Sequence, residues 1–161
     1  MPSFAAAGRW TAAAVLGCAV LLGCQAPAPE EERPATGIEN ATLRTDRLPI
    51  EKRYPQLGAF TSVHWLGGTL GSDRVPGPST YFIEAAVELR PEDAATLRQQ
   101  YAFAPTADPQ PSPPAPLTSH LDGSGWTTSR ELDQTASASE WVVHVYLRPD
   151  QPVAYLSAMG Q

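Results

Sequence analysis

The sequence predicts an α+β fold, a small and mainly antiparallel sheet of about four strands with one short helix, preceded by a disordered tether. Three observations carry this reading. Two stretches alternate apolar and polar residues with the period of a half-buried strand, a proline followed by acids opens a short run with helical spacing, and a Pro/Glu tract with little to bury precedes them all.

Taken in order, Ala59 to Leu66 reads as a first strand, less cleanly alternating than those that follow. Next, Tyr81, Ile83, Ala85, Val87 and Leu89 alternate with Phe82, Glu84, Ala86, Glu88 and Arg90, the period-2 pattern of a strand with one buried face. Pro91 ends that strand and opens the helix. Proline suits the first helical position, Glu92 and Asp93 meet the positive end of the helix dipole, and Ala94, Leu97 and Tyr101 share one side. A further strand sets Trp141, Val143, Val145 and Leu147 against Val142, His144, Tyr146 and Arg148. Arg148-Pro149-Asp150-Gln151 supplies turn chemistry, so Val153 to Ser157 returns as a hairpin partner.

Two stretches interrupt the domain. GGTLGSDRVPGPS, residues 67 to 79, is expected as a loop between the first two strands. APTADPQPSPPAP, residues 104 to 116, is a Pro-rich excursion whose Pro111-x-x-Pro114 and Pro113-x-x-Pro116 spacings could offer a polyproline II surface. One helix covers only one face of such a sheet, and the more apolar face carries Tyr81, Ile83, Val87, Trp141, Val143 and Val145. The opposite face carries Phe82, Glu84, Glu88, Val142, His144 and Tyr146. Aromatic groups interleaved with charge make this face a candidate recognition surface, unless residues 43 to 56 or the Pro-rich loop cover it.

At 161 residues the chain holds one domain with accessories, and 42% hydrophobic residues supply one modest core. The formal net charge is −6, and residues 59 to 161 carry five arginines against eleven acids. Such a domain lacks the basic footprint that nucleic acid requires, and anionic headgroups repel it. The stretch LRTDRLPIEKRYPQ, residues 43 to 56, runs the other way, with four bases and two acids. It reads as a solvated entry segment, with a membrane-hugging role as the alternative.

Both cysteines of the chain lie near its start, in VLGCAVLLGCQAPAPEEE, residues 15 to 32. Arg9 precedes an uncharged run from Trp10 to Leu22, shorter than the roughly 20 residues of a membrane span and suited to the apolar core of a signal peptide. Leu21-Leu22-Gly23-Cys24 then resembles the lipobox of bacterial prolipoproteins. The resemblance implies that the Cys24 thiol takes a diacylglyceryl group and that cleavage falls before it, discarding Cys18 with the signal. Val15-Leu16-Gly17-Cys18 fits the same pattern but would leave about seven apolar residues ahead of it, near the lower limit for a signal. Cys24 sits at the switch from apolar to polar and is the expected lipidation site; a plain secretory signal with incidental cysteines is the alternative. The expected organisation is a signal peptide over 1–23, a lipidated Cys24 with tether and entry segment over 24–56, and the folded domain over 57–161.

Catalytic signatures are sparse. GGTLGS lacks the Gly-Lys-Ser/Thr ending of a phosphate-binding loop, and the chain has no H-E-x-x-H, C-x-x-C or G-x-S-x-G motif. No metal ligand set or cofactor is expected from these patterns. The three histidines are the candidates for acid-base work: His64 and His144 sit in strand patterns that suit structural roles, and His120 could join Asp122 in a loop. The chain is therefore expected to be a lipid-anchored envelope lipoprotein on the extracytoplasmic face of a bacterial membrane, a monomer that binds an envelope protein, peptide or wall component. The alternative is a small surface-anchored hydrolase using histidine chemistry.

Overall fold

The computed structural model describes residues 35–70, 79–107, 110–123, 125–138 and 140–161. The signal peptide expected over 1–23, Cys24 and the expected tether up to residue 34 lie outside the described residues, as does most of the loop expected at 67–79. Among the described residues no helix is long and apolar enough to cross a membrane.

Among the described residues seven strands form one sheet: β1 (Ala35–Thr36), β2 (Phe60–Leu70), β3 (Thr80–Leu89), β4 (Ala104–Pro105), β5 (Thr127–Thr128), β6 (Trp141–Leu147) and β7 (Val153–Gly160). Their spatial order is β1-β2-β3-β7-β6-β5-β4, antiparallel throughout except for the β1–β2 pair. The four long strands are the four that the sequence predicts, two from clean alternation, one from a weaker pattern and one as a hairpin return, and they form the centre. The count rises to seven because three two-residue strands extend the edges. β2 also runs on through Gly67–Leu70, which the sequence assigns to a loop. Gly67 and Gly68 pair with Ile83 and Phe82, so ladder partners override the turn propensity of two adjacent glycines.

Among the described residues four α-helices accompany the sheet: α1 (Leu48–Arg53), α2 (Pro91–Gln100), α3 (Ala115–Thr118) and α4 (Arg130–Ala136). α2 begins at Pro91 as its sequence predicts, and it buries Ala94 and Leu97. The first face of the sheet gathers Val63, Trp65, Ala85, Val87, Val143, Val145 and Leu156 into one core with Ile50, Tyr54 and Leu57 from the segment before β2 and with Ala94, Leu97 and Leu132 from the helices. Residues 43 to 56, expected as a solvated entry segment, thus supply part of the core. Ile50 is 0% and Tyr54 1% exposed. Both residues lie ahead of 57, where the sequence reading starts the folded domain.

The second face carries a separate cluster, Leu66, Phe82, Ala86 and Tyr155 under Leu117, Leu121 and Trp126. The cover therefore comes from α3 and the turn that follows the Pro-rich stretch. Arg148, itself buried, fixes it. Its guanidinium lies 4.8 Å from the Trp126 ring centre and donates to the Asp122 carbonyl. Gly123 turns the chain here at φ +102°, where any side chain would collide with that guanidinium.

Both long edges find partners. Along β2, Arg44 and Trp65 exchange backbone hydrogen bonds of 2.8 and 2.9 Å. Along β6, where β5 pairs only with Tyr146 and Leu147, the α4 side substitutes: the Val145 N–H donates to Asp133 Oδ1 at 2.8 Å, and the Val143 N–H donates to Ser137 Oγ at 3.0 Å. Side chains thereby occupy a strand edge that would otherwise pair with another chain. Asp133→Ala should lower the unfolding free energy by about 1–3 kcal/mol, the range for a polar group deprived of its partner. Denaturant melts measure the loss, and size-exclusion chromatography should reveal association through the opened edge.

Candidate functional site

The face expected to meet a partner is covered in part. Phe82 is 1% exposed because Leu117, Leu121 and Trp126 complete the cluster around it, and Glu84 is 5% exposed. The sequence could not place these covering residues, which lie beyond a Pro-rich stretch without periodicity. Glu88, Val142 and His144 remain exposed, and Tyr146 is half-buried. Register explains their arrangement: Leu66, Glu84, Ser157 and His144 form one row across β2, β3, β7 and β6, and His64, Ala86, Tyr155 and Tyr146 form the next.

Within the first row, Glu84 accepts two hydrogen bonds, from Tyr155 Oη at 2.6 Å and from Ser157 Oγ at 3.0 Å. Burial raises the Glu84 carboxyl pKa, and these two donors oppose the shift by favouring the ionised form. Burial raises the Tyr155 phenol pKa as well, and its bond to Glu84 adds to that. Tyr146 stacks on Tyr155 with ring centres 5.6 Å apart, and burial raises its phenol too. Trp126 tilts against Tyr155 from above. This is a buried polar pair inside an aromatic cluster, closed to a substrate by its cover.

His144 faces outward, with Nδ1 3.1 Å from Asp133 Oδ2. Asp133 thus holds both the edge amide of Val145 and the imidazole, the structural role that its strand position suggests. Ser157 shares the row with His144, but its hydroxyl proton goes to Glu84.

An open cleft of about 270 Å³ lies at the other end of the same face, lined by Ser62 and His64 of β2, Glu88 of β3, His120 beyond α3, and Val153. Ser62 and His64 project on one side because they are two residues apart on a strand. Glu88 faces Ser62 by register, and the Ser62 hydroxyl donates to Glu88 Oε2 at 2.9 Å. His120 lies flat on His64, with ring centres 3.5 Å apart and planes within 8°. It meets His64 rather than the Asp122 that adjacency suggested. Desolvation lowers the His64 pKa most, repulsion from His120 lowers it further, and Glu88 opposes both.

The cleft's chemistry follows from these directions. The serine proton points to a carboxylate rather than to a ring nitrogen, so no serine-to-histidine relay exists in the cluster. Stacked rings direct their in-plane lone pairs side by side, and among the described residues no three His, Cys, Asp or Glu side chains converge as a metal cradle. What remains is a shallow concavity with two stacked imidazoles on one wall and an anionic carboxylate on another, suited to holding a polar group. His120→Ala should raise the His64 pKa toward the ordinary value of about 6.5, because the substitution removes a repelling charge and part of the burial. An NMR titration of the His64 ring measures it; an unchanged pKa would assign the whole shift to the cleft wall.

No protein-family model, curated protein or solved structure matches the chain.

Proposed function

We propose that this chain is a bacterial envelope lipoprotein, anchored through a lipidated Cys24 on the extracytoplasmic face, whose domain acts as a binding module rather than as an enzyme. The observation that carries the anchor is Leu21-Leu22-Gly23-Cys24 at the point where an uncharged run gives way to a Pro/Glu tract. Acyl chains attached to Cys24 hold the domain durably, whereas a single chain would bind only marginally. The cleft of Ser62, His64, Glu88 and His120 supports a binding role, since it offers polar groups in an open concavity without an activated nucleophile. Its size and openness suit a short polar segment of an envelope protein, peptide or wall component.

The anchor is tested by intact-mass analysis of the protein purified from bacterial membranes. Cys24→Ala should abolish lipidation and processing, and Cys18→Ala should leave both unchanged. A free thiol on Cys24 in the native protein would overturn the anchor. For the binding site, cross-linked capture of envelope components should fall at least tenfold in Glu88→Ala and His120→Ala, with melting temperatures within a few degrees of the parent. Labelling of any serine by hydrolase-directed probes would instead favour the surface-anchored hydrolase.

A further inference from the structure

Building on the lipid-anchor reading, we infer that residues 43–53 form a membrane-docking strip that seats the tethered domain on an anionic phospholipid surface. Two of the exposed large apolar residues of the domain lie here, Leu43 at 37% and Leu48 at 58% exposure. Four bases, Arg44, Arg47, Lys52 and Arg53, accompany them against two acids, Asp46 and Glu51. No comparable excess of base occurs later, since residues 59 to 161 hold five bases and eleven acids. Leucine together with Lys and Arg is the composition of interfacial segments, whose apolar groups enter the headgroup boundary while their cations meet phosphate.

The strip is also a fixed platform. Ile50 and Tyr54 anchor α1 in the core, and the Arg44–Trp65 backbone pair ties its start to β2. Leu48 and Lys52, one helical turn apart, share a side of α1, and both are exposed. The Arg44 and Arg53 guanidiniums rest over the Trp65 and Trp141 rings at 5.1 and 4.4 Å, which directs two of the charges while leaving both arginines exposed. Arg47 lies 3.7 Å from Glu51 in an exposed pair that contributes little by itself.

The place where the chain enters the fold points to a bilayer as the occupant. Eleven positions separate Cys24 from Ala35, at most about 40 Å of chain, so a lipid on Cys24 keeps the strip within reach of headgroups. Confinement at that range raises the effective concentration, and a weak patch then suffices for docking. The acidic remainder of the domain is repelled by the same surface, which favours one orientation.

Lys52 is the sole lysine and serves as a built-in reporter. The processed, lipidated protein is reconstituted into vesicles of phosphatidylcholine alone or of phosphatidylcholine mixed equally with phosphatidylglycerol, and acylation of Lys52 by an amine reagent is followed by peptide mass spectrometry. Docking slows the reaction at least about fivefold in the anionic vesicles, the attraction expected of a single basic residue near such a surface. High salt or Leu48→Asp should restore the rate seen with phosphatidylcholine. Equal rates in the two vesicle types, whether fast or slow, would overturn the docking strip. Flotation of the protein with phosphatidylcholine vesicles reports the lipid anchor separately, so loss of the anchor and loss of the strip are distinct results.

Discussion

A chain cut to begin at Leu57 should not fold, whereas one that begins at Ala35 should melt cooperatively. The segment between them places Ile50 and Tyr54 in the principal core, and burial pushes the Tyr54 phenol up to about 12. Removing the contacts of one large aliphatic and one aromatic side chain costs about 2–5 kcal/mol each. Their sum is comparable to the whole stability of a small domain, about 5–15 kcal/mol. The truncation also strips the edge of β2 of the Gly37 N–H bond to the Thr69 carbonyl, the Arg44–Trp65 pair and the Arg47 Nη1 bond to the Phe60 carbonyl. The Trp65 Nε1 bond to the Asp46 carbonyl goes with them. Circular dichroism melts of the two chains decide the matter, and a cooperative transition in the shorter one would show that the sheet and its three later helices suffice.

The same segment shows why some of the fold was legible in the sequence and some was not. β3 and β6 announce themselves because their first face is nearly all apolar and their second mixed, so period 2 survives in the letters. α1 does not. It has six residues, and one buried side chain among Arg47, Glu51, Lys52 and Arg53 gives no period to read. The insertion of β7 between β3 and β6 is equally silent, because it depends on which distant edge a hairpin finds. Part of the expected recognition face is covered for a related reason: Phe82 alternates as an outward residue should, and Leu117, Leu121 and Trp126, brought over by a Pro-rich connection, bury it. His64 and His120 meet through that same non-local packing, and Ser62 meets Glu88 through the β2–β3 register. Local patterns report which residues turn inward on one element. They do not report what later chain lies on top.

The buried Glu84 makes the stability of the domain depend on pH. Burial raises its folded-state pKa above the unfolded value of about 4.5, so folding favours the protonated acid. The associated stability is fully present below the unfolded value and is lost as pH rises through the raised folded value. Glu84→Gln removes that titration while its side-chain oxygen still accepts from Tyr155 Oη, so the variant should gain on the parent as pH rises above about 4.5. Glu84→Ala is a different case. It leaves the Tyr155 hydroxyl, within a closed aromatic cluster, and the half-buried Ser157 hydroxyl without their acceptor. Each deprived donor costs about 1–3 kcal/mol, and the space vacated by the buried side chain adds to the loss. Denaturant melts of the parent and both variants at pH 4, 6 and 8 give the comparison. The Gln variant should flatten the pH dependence and the Ala variant should be the least stable at every pH. A parent whose stability rises from pH 4 to 8 by as much as that of the Gln variant would mean that Glu84 is ionised at little expense, with its two donors outweighing its burial.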